Sequence, residues 1–338
     1  MRAMDPDMET GELETPLTVE VEAASDRLRL DQFLAGAIEN ASRSLIKKVI
    51  KDGGVQVNGK VCTRPSRTVR EGDAVAVTLP PAPSTDLVGE DIPLDILYED
   101  AELVIVNKSS GLVVHPAPGH SNGTLVHAVL FHCPDFQRPT PDGDTVTIRP
   151  GIVHRLDRFT SGVMVVAKSQ RAFDHLARQA REHTFDRRYL ALVQGEFKED
   201  SGRITATIGR SLSDRSRMSV TSVRGREAVT RFEVLERFGN ASLVALQLET
   251  GRTHQIRVHL RFAGRPVLGD PVYGITDFSR WNVDAALRAA LVALEGQALH
   301  AEWLGLEHPV TGERMQFTSS PPADFQAALT LFRERASL

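Results

Sequence analysis

Residues 151–168, GIVHRLDRFTSGVMVVAK, set an ionisable run, His154-Arg155-Leu156-Asp157-Arg158, between two apolar runs, Ile152-Val153 and Val163 to Ala167. The apolar runs read as strands of a buried sheet, with Thr160-Ser161-Gly162 turning the chain back between them. A carboxylate flanked by arginines is thereby held at a sheet edge. Arginine on either side favours the ionised form of Asp157 wherever the head groups come within a few ångströms. An ionised carboxylate can serve as nucleophile or base. The same residues also fit a loop aspartate that caps its own turn while its neighbours face water. The rest of the chain has to decide.

At 338 residues the chain has room for about two domains. A hydrophobic content of 41% with 25% charged residues is that of an ordinary globular protein. No apolar run approaches the roughly 20 residues that span a bilayer, and the acidic amino terminus lacks the layout of a signal peptide, so a cytoplasmic location is expected. Cys62 and Cys133 are far apart and outside any CxxC, which points away from a disulfide framework or a zinc site.

The net charge of −4 conceals a reversal of sign along the chain. Residues 1–24 carry a net −6, and residues 27–70 a net +7. Residues 1–25 are expected to be a disordered acidic leader. From there Leu30, Phe33, Leu34 and Ile38 recur at helical spacing, and Asn40 and Ser42 offer caps for a second helix, SRSLIKKVIK. Leu45, Ile46, Val49 and Ile50 should form its packed side, while Arg43, Lys47 and Lys51 repeat every four residues on another. Gly53-Gly54 ends it, Asn58-Gly59 turns a hairpin, and a further strand is expected within Val69 to Val77. If this module binds RNA, Arg43, Lys47, Lys48 and Lys51 contact phosphate. A merely solvated basic face is the competing reading.

Prolines 80, 81, 83 and 93 mark a linker over residues 79–95. Beyond it, Ile96 to Val106 reads as strand, turn, strand, Thr124 to Cys133 as a helix, and Pro134 to Asp144 as a surface loop. The turn after Lys108 lacks the GxxxxGK[ST] spacing of a phosphate loop. Arg171 to Glu182 reads as a helix capped by Ser169, and Tyr189 opens a strand. Residues 203–231 hold seven arginines against Asp214 and Glu227, either a second RNA-facing region or a long exposed hairpin. Thr253 can cap a helix through Arg261 that carries Arg257 on the face of His254 and Leu260. His254 and His259 are spaced five apart, which does not suit a helical metal pair, and no metal site is expected. A kinase-like loop fails because Leu156 separates Arg155 from Asp157.

Taken together, ILYEDAELVIVNKSSGLVVHP, GIVHRLDRFTSGVMVVAKS, RRYLALVQG, LETGRTHQIRVHLRFAGRPVLGDPVYG and LHAEWLGLEHPVTGE resemble the RluA-type pseudouridine synthases, most closely those that modify large-subunit ribosomal RNA. SRSLIKKVIKDGGVQVNGK resembles the α-L RNA-binding module. The resemblance implies an α+β protein: an α-L domain over residues 26–78, then a catalytic domain over residues 96–338 with a mixed, largely antiparallel sheet flanked by helices. It implies that Asp157 is the catalytic aspartate, that Tyr189 lies under the uracil and takes part in proton removal, and that Arg257 pairs with the aspartate. Arg155 resembles the arginine that helps extrude the nucleotide, and Arg252 and His254 would contact substrate. The expected partner is ribosomal RNA or a precursor particle, with the protein acting as a monomer and without cofactor or metal. Lys108-Ser109-Ser110-Gly111 departs from the family's more usual lysine, proline, small residue, glycine.

The chemistry suits a lone carboxylate. Isomerising uridine requires breaking the bond from nitrogen to sugar, rotating the base and rejoining it through carbon. The positive charge that builds on the sugar can be stabilised, trapped covalently or relieved by loss of a proton. The competing class is an RNA-binding or ribosome-assembly factor without catalysis on the same fold. Tritium release from RNA labelled at uridine carbon five separates the two.

Overall fold

In a computed structural model of the protein, which describes residues 17–38, 43–79, 87–116, 120–133, 137–139, 145–147, 151–215, 217–221 and 225–337, strand pairing begins inside the stretch expected to be a disordered leader. β1 (Leu17–Glu20) runs antiparallel to a strand sixty residues away, with Leu17 opposite Val77. Val21 is 1% exposed. Leu17, Val19 and Val21 alternate with polar residues, the period of a half-buried strand, and the surrounding acids masked that pattern.

The chain divides into two compact units between Asp86 and Leu87. In the first, α1 (Leu30–Ala37) buries Leu30, Phe33 and Leu34, and α2 (Arg43–Lys51) buries Ile46, Val49 and Ile50. Leu45 is not part of the packed side; it is exposed. The caps expected at Asn40 and Ser42 lie outside the described residues. Gly53 ends α2 at φ +84, and Asn58 and Gly59, both at positive φ, turn β2 (Val55–Val57) into β3 (Lys60–Val61). β4 (Ala74–Val77) lies between β1 and β2, so the order is β1-β4-β2-β3.

Residues from Leu87 onward pack within the second unit, which shortens the expected linker. Leu87 and Leu94 lie against the unit's main core, Glu90 N donates to His127 O at 3.0 Å, and a Cβ on Gly89 would sit 2.7 Å from Phe131 N. In chain order this unit contains β5 (Asp95–Glu99), β6 (Leu103–Lys108), α3 (Leu125–His132), β7 (Gln137–Pro139), β8 (Thr145–Thr147), β9 (Gly151–Ile152) and β10 (Ser161–Ala167). There follow α4 (Gln170–Glu182), β11 (Asp186–Gln194), β12 (Ser201–Arg210), β13 (Met218–Val220), β14 (Arg226–Arg237), β15 (Ala241–Leu248) and α5 (Gln255–Phe262). α6 (Ala285–Val292), β16 (Leu299–Glu307), β17 (Arg314–Thr318) and α7 (Ala323–Ala336) complete it. β7 lies inside the stretch 134–144 expected to be loop, and it pairs with β8 just beyond that stretch.

Among the described residues the large sheet has the order β13-β12-β14-β15-β11-β16-β10-β6-β5, with β17 on β16 and β9 on β10. Its pairs are antiparallel except β10 with β16, where Ser161 faces His300 and Gly162 faces Ala301. This is the mixed, largely antiparallel sheet with flanking helices that the resemblance implies. Strand residues alternate between the two faces of the sheet. Val104, Val106, Met164, Val166, Tyr189, Ala191 and Val244 face α3 and α5. Val163, Val165, Leu103 and Ile105 face α4, and Leu190, Leu192 and Leu243 face α6 and α7. Tyr189 and the helix carrying Arg257 are therefore on one face of the sheet. No helix among the described residues is long and apolar enough to cross a membrane.

Candidate active site

The run between β9 and β10 is sorted residue by residue. His154 accepts a bond from Val165 N through Nε2 at 3.2 Å and sets its ring edge against Phe185, and burial pushes its pKa down to about 3. Leu156 enters the main core, whereas Arg155 and Arg158 are exposed. Lys108 closes the turn from beneath. It is 1% exposed, and its Nζ donates to Ser109 O (2.7 Å), Leu112 O (2.9 Å) and Arg158 O (3.0 Å). Burial pushes this amine down to about 7, against the pull of Asp157, while three carbonyl oxygens match the three N–H bonds of the ammonium. Thr160 N donates to Asp157 O, and Gln297 holds the Thr160 hydroxyl at 3.0 Å.

The arginines flanking Asp157 do not pair with it, contrary to the local expectation. Arg158 turns away, donating to Gly111 O and lying over the Phe159 ring. The partner is Arg257 in α5, 100 positions later, whose Nη1 donates to Asp157 Oδ2 at 2.9 Å. Arg257 is 5% exposed and is held from its other edge by Asp270, with Nε to Oδ2 at 2.7 Å and Nη2 to Oδ1 at 2.8 Å. Burial alone would lower the pKa of Arg257. The carboxylates of Asp270 and Asp157 overcome it and raise the group above an ordinary arginine. Asp270 shows the converse: burial pushes up, but the guanidinium and the N–H bonds of Val272 and Tyr273 leave it below the usual carboxylate range.

α5 begins differently from expectation. Thr253 does not cap it; His254 occupies the cap position in the left-handed conformation, φ 55, and the Gln255 side chain accepts from Arg252 N and the Thr250 hydroxyl. That backbone conformation turns His254 toward Asp157, with Nε2 lying 3.8 Å from Oδ1. Tyr189, 5% exposed, completes the group. Burial raises its hydroxyl pKa, which Arg187 opposes and Asp157 reinforces.

Asp157, Tyr189 and Arg257 thus line one inner cavity of ≈ 60 Å³, together with Arg155, Arg252 and His254. It adjoins a cleft of ≈ 440 Å³, within the size range of ligand sites, that shares Arg155, Asp157, Tyr189, Arg252 and His254 and adds Arg181 and Arg187. All six residues expected in catalysis or substrate contact are therefore brought together.

The four expected RNA-contacting residues are in the other unit, where Asp31 changes their reading. Asp31 is buried on α1 and accepts from Arg43 Nε at 3.1 Å, with Lys47 Nζ at 3.6 Å. Lys48 and Lys51 are exposed. Of the arginines in residues 203–231, Arg203 and Arg231 pair with Glu249 and Arg217 with Asp214. Three members of that basic stretch are therefore already paired, sharing two carboxylates.

Sequence reasoning missed Asp270, Tyr273 and the buried role of Lys108. GDPVYG reads locally as a turn and nothing more. A carboxylate three residues before a tyrosine in a glycine-bounded turn was the available signal.

Residues 102–262 match the family described as RNA pseudouridylate synthase, and residues 28–75 match the S4 domain. The chain is 46% identical over 310 residues to an RNA pseudouridine synthase of Synechocystis, covering 91% of this chain and 90% of that one. It is 41% identical over 310 residues to ribosomal large subunit pseudouridine synthase D of Pseudomonas aeruginosa, covering 90% and 92%. Among solved structures, human RNA pseudouridylate synthase domain containing 1 superposes with a TM-score of 0.52 at 27% identity, over 69% of this chain and 86% of that one. The chain belongs to the RluA-type RNA pseudouridine synthases, with an S4 domain ahead of the synthase domain.

Proposed function

We propose that Asp157 is the carboxylate with which this RNA pseudouridine synthase isomerises uridine, and that its substrate is large-subunit ribosomal RNA. The observation carrying the first part is the 2.9 Å bond from Arg257 to Asp157 in a cavity shared with Tyr189. A charge-assisted bond of this kind is strong and directional, and it holds Oδ2 while leaving Oδ1 outside that bond. Positive charge developing on the sugar as the glycosidic bond breaks is then met by an aimed carboxylate. Whether that carboxylate traps the sugar or removes its proton, no water has to be activated.

The uracil has to leave its stack to reach this cavity, and exposed Arg155 is placed to fill the vacated position. Tyr189 offers the base a ring to lie on. Burial keeps its hydroxyl protonated, so Tyr189 can take a proton from the base only if its own hydrogen passes to Asp157, the carboxylate whose charge acts on it. Arg181 and Arg187 line the outer cleft and have no carboxylate partner among the described residues, which suits them to the phosphates beside the target nucleotide. Ribosomal RNA as substrate is supported by the name of the Pseudomonas relative.

Large-subunit RNA transcripts carrying tritium at uridine carbon five test the catalytic part. Wild type should release tritium and Asp157→Asn should release none above background. Mapping pseudouridine in total RNA from cells with and without the gene tests the substrate: sites should vanish from large-subunit RNA, and loss confined to other RNAs would overturn that assignment.

A further inference from the structure

We infer that Tyr273 is a positioning residue for the reaction: through His254 it aims an N–H bond at Oδ1 of Asp157, and it ties that aim to the arm formed by β12 and β13. The inference rests on the reading of Asp157 as the catalytic carboxylate.

Among the donor and acceptor roles open to this chain of contacts, one arrangement gives every hydrogen a partner. The backbone N–H of Met218, in β13, lies 2.9 Å from the Tyr273 hydroxyl. A backbone N–H can only donate, so the hydroxyl accepts there and its own hydrogen goes to the remaining partner, Nδ1 of His254, also at 2.9 Å. With Nδ1 accepting, a neutral His254 carries its hydrogen on Nε2, the atom 3.8 Å from Asp157 Oδ1. The two oxygens of Asp157 are thereby made unequal. Oδ2 is held by the charged bond from Arg257, whereas Oδ1 faces a neutral N–H just beyond bonding distance and is the oxygen available to react.

The rest of the site supports this reading. Burial lowers the pKa of His254, which favours the neutral ring, and the charged groups facing it are Asp157, Arg257, Asp270 and Arg155. Tyr273 is 4% exposed and fixed independently of Met218. Its ring lies under the Arg257 guanidinium at 4.9 Å, its N–H donates to Asp270 Oδ1 at 3.0 Å, and its carbonyl accepts from Arg261 at 2.9 Å. Met218, in contrast, belongs to the arm, opposite Arg210 of β12 and next to Arg217. RNA that displaces β13 would therefore be felt first at the Tyr273 hydroxyl and then at Asp157.

Tyr273→Phe keeps the ring beneath Arg257 and removes only the hydroxyl. At saturating RNA its kcat should fall about tenfold with KM within about twofold. The acid limb of its kcat profile should also move, because Nδ1 of His254 loses the bond that kept it an acceptor. His254→Gln places an amide N–H near the position of Nε2 and has no tautomer to set, so adding Tyr273→Phe to it should cost nothing further. The inference is overturned if Tyr273→Phe keeps a wild-type kcat and pH profile, or if its loss is equally large in the His254→Gln background, which would mark a structural role only. Asp157→Asn in the same assay separates the two proposals. If it is active, both fail; if it is inactive and Tyr273→Phe behaves as wild type, only this one does.

Discussion

Arg257 holds one positive charge between two carboxylates, and that arrangement sets what each neighbour contributes. Asp270 takes two of its N–H bonds and leaves the third edge for Asp157. Asp270→Asn should destabilise the protein by about 3 kcal/mol or more, since it strips one partner from a buried charge; urea unfolding measures it. The sign with pH follows from the depressed carboxyl of Asp270. Its contribution is fully present above the ordinary carboxylate value of about 3.9 and is lost as pH falls through the lower, folded value. Acid unfolding of Asp270→Asn should therefore show a shallower dependence below about pH 4 than wild type. His154 acts in a different window. Its folded pKa of about 3 is below the ordinary histidine value, so between these values the unfolded chain binds more protons and stability rises with pH. His154→Gln keeps an acceptor for Val165 N and removes the titration, and should flatten the stability profile between about pH 3 and pH 6.5. The identity of Asp157 was legible from its motif, but its partner was not legible from local chemistry. Two adjacent arginines were the obvious candidates, and the strand-turn geometry sends both to solvent.

At the level of elements, two junctions carry more than their length implies. β10 and β16 approach in parallel through only two residue pairs, and Gly162 makes that approach possible. Its φ of +114 disfavours any side chain, and an added Cβ would lie 2.2 Å from Ala301 O. Gly162→Ala should lower stability by about 3 kcal/mol or more, seen as a clear fall in melting temperature. The second junction joins α1 to α2 through Asp31. Burial pushes its carboxyl up, but Arg29 and Arg43 hold it down to about 2, so the link is intact above about pH 4 and fails as pH falls toward 2. Protection of the α2 amides, measured against their intrinsic exchange rate at each pH, should fall over that interval in wild type and be low throughout in Asp31→Ala. Both helices were legible from their apolar spacing. Asp31 was not, because an acid in the first turn of a helix usually faces water and serves the helix dipole.

Across the molecule, basic side chains lie at the surface of both units, but much of their charge is already engaged. Lys48 and Lys51 remain exposed on α2. Lys48→Glu with Lys51→Glu should raise KM for RNA and reduce the salt slope of binding by about 0.7 to 0.9 for each phosphate no longer neutralised, while kcat at saturation stays within about twofold. Filter binding across a salt series, alongside tritium release, checks it. The α+β class, the S4-like start, most strands and helices, and the six residues that converge on the inner cavity could be read from the chain alone, because hydrophobic period and long motifs are local properties of the chain. Folding in three dimensions added that Asp157 turns from both of its flanking arginines, that Asp270 and Tyr273 stand behind its pair with Arg257, that Lys108 is buried, and that β1 completes the first sheet. Each of these joins residues distant in sequence, or turns on which of two neighbouring side chains the packed core admits, and a charge or a period read along the chain carries no record of what folding sets across from it.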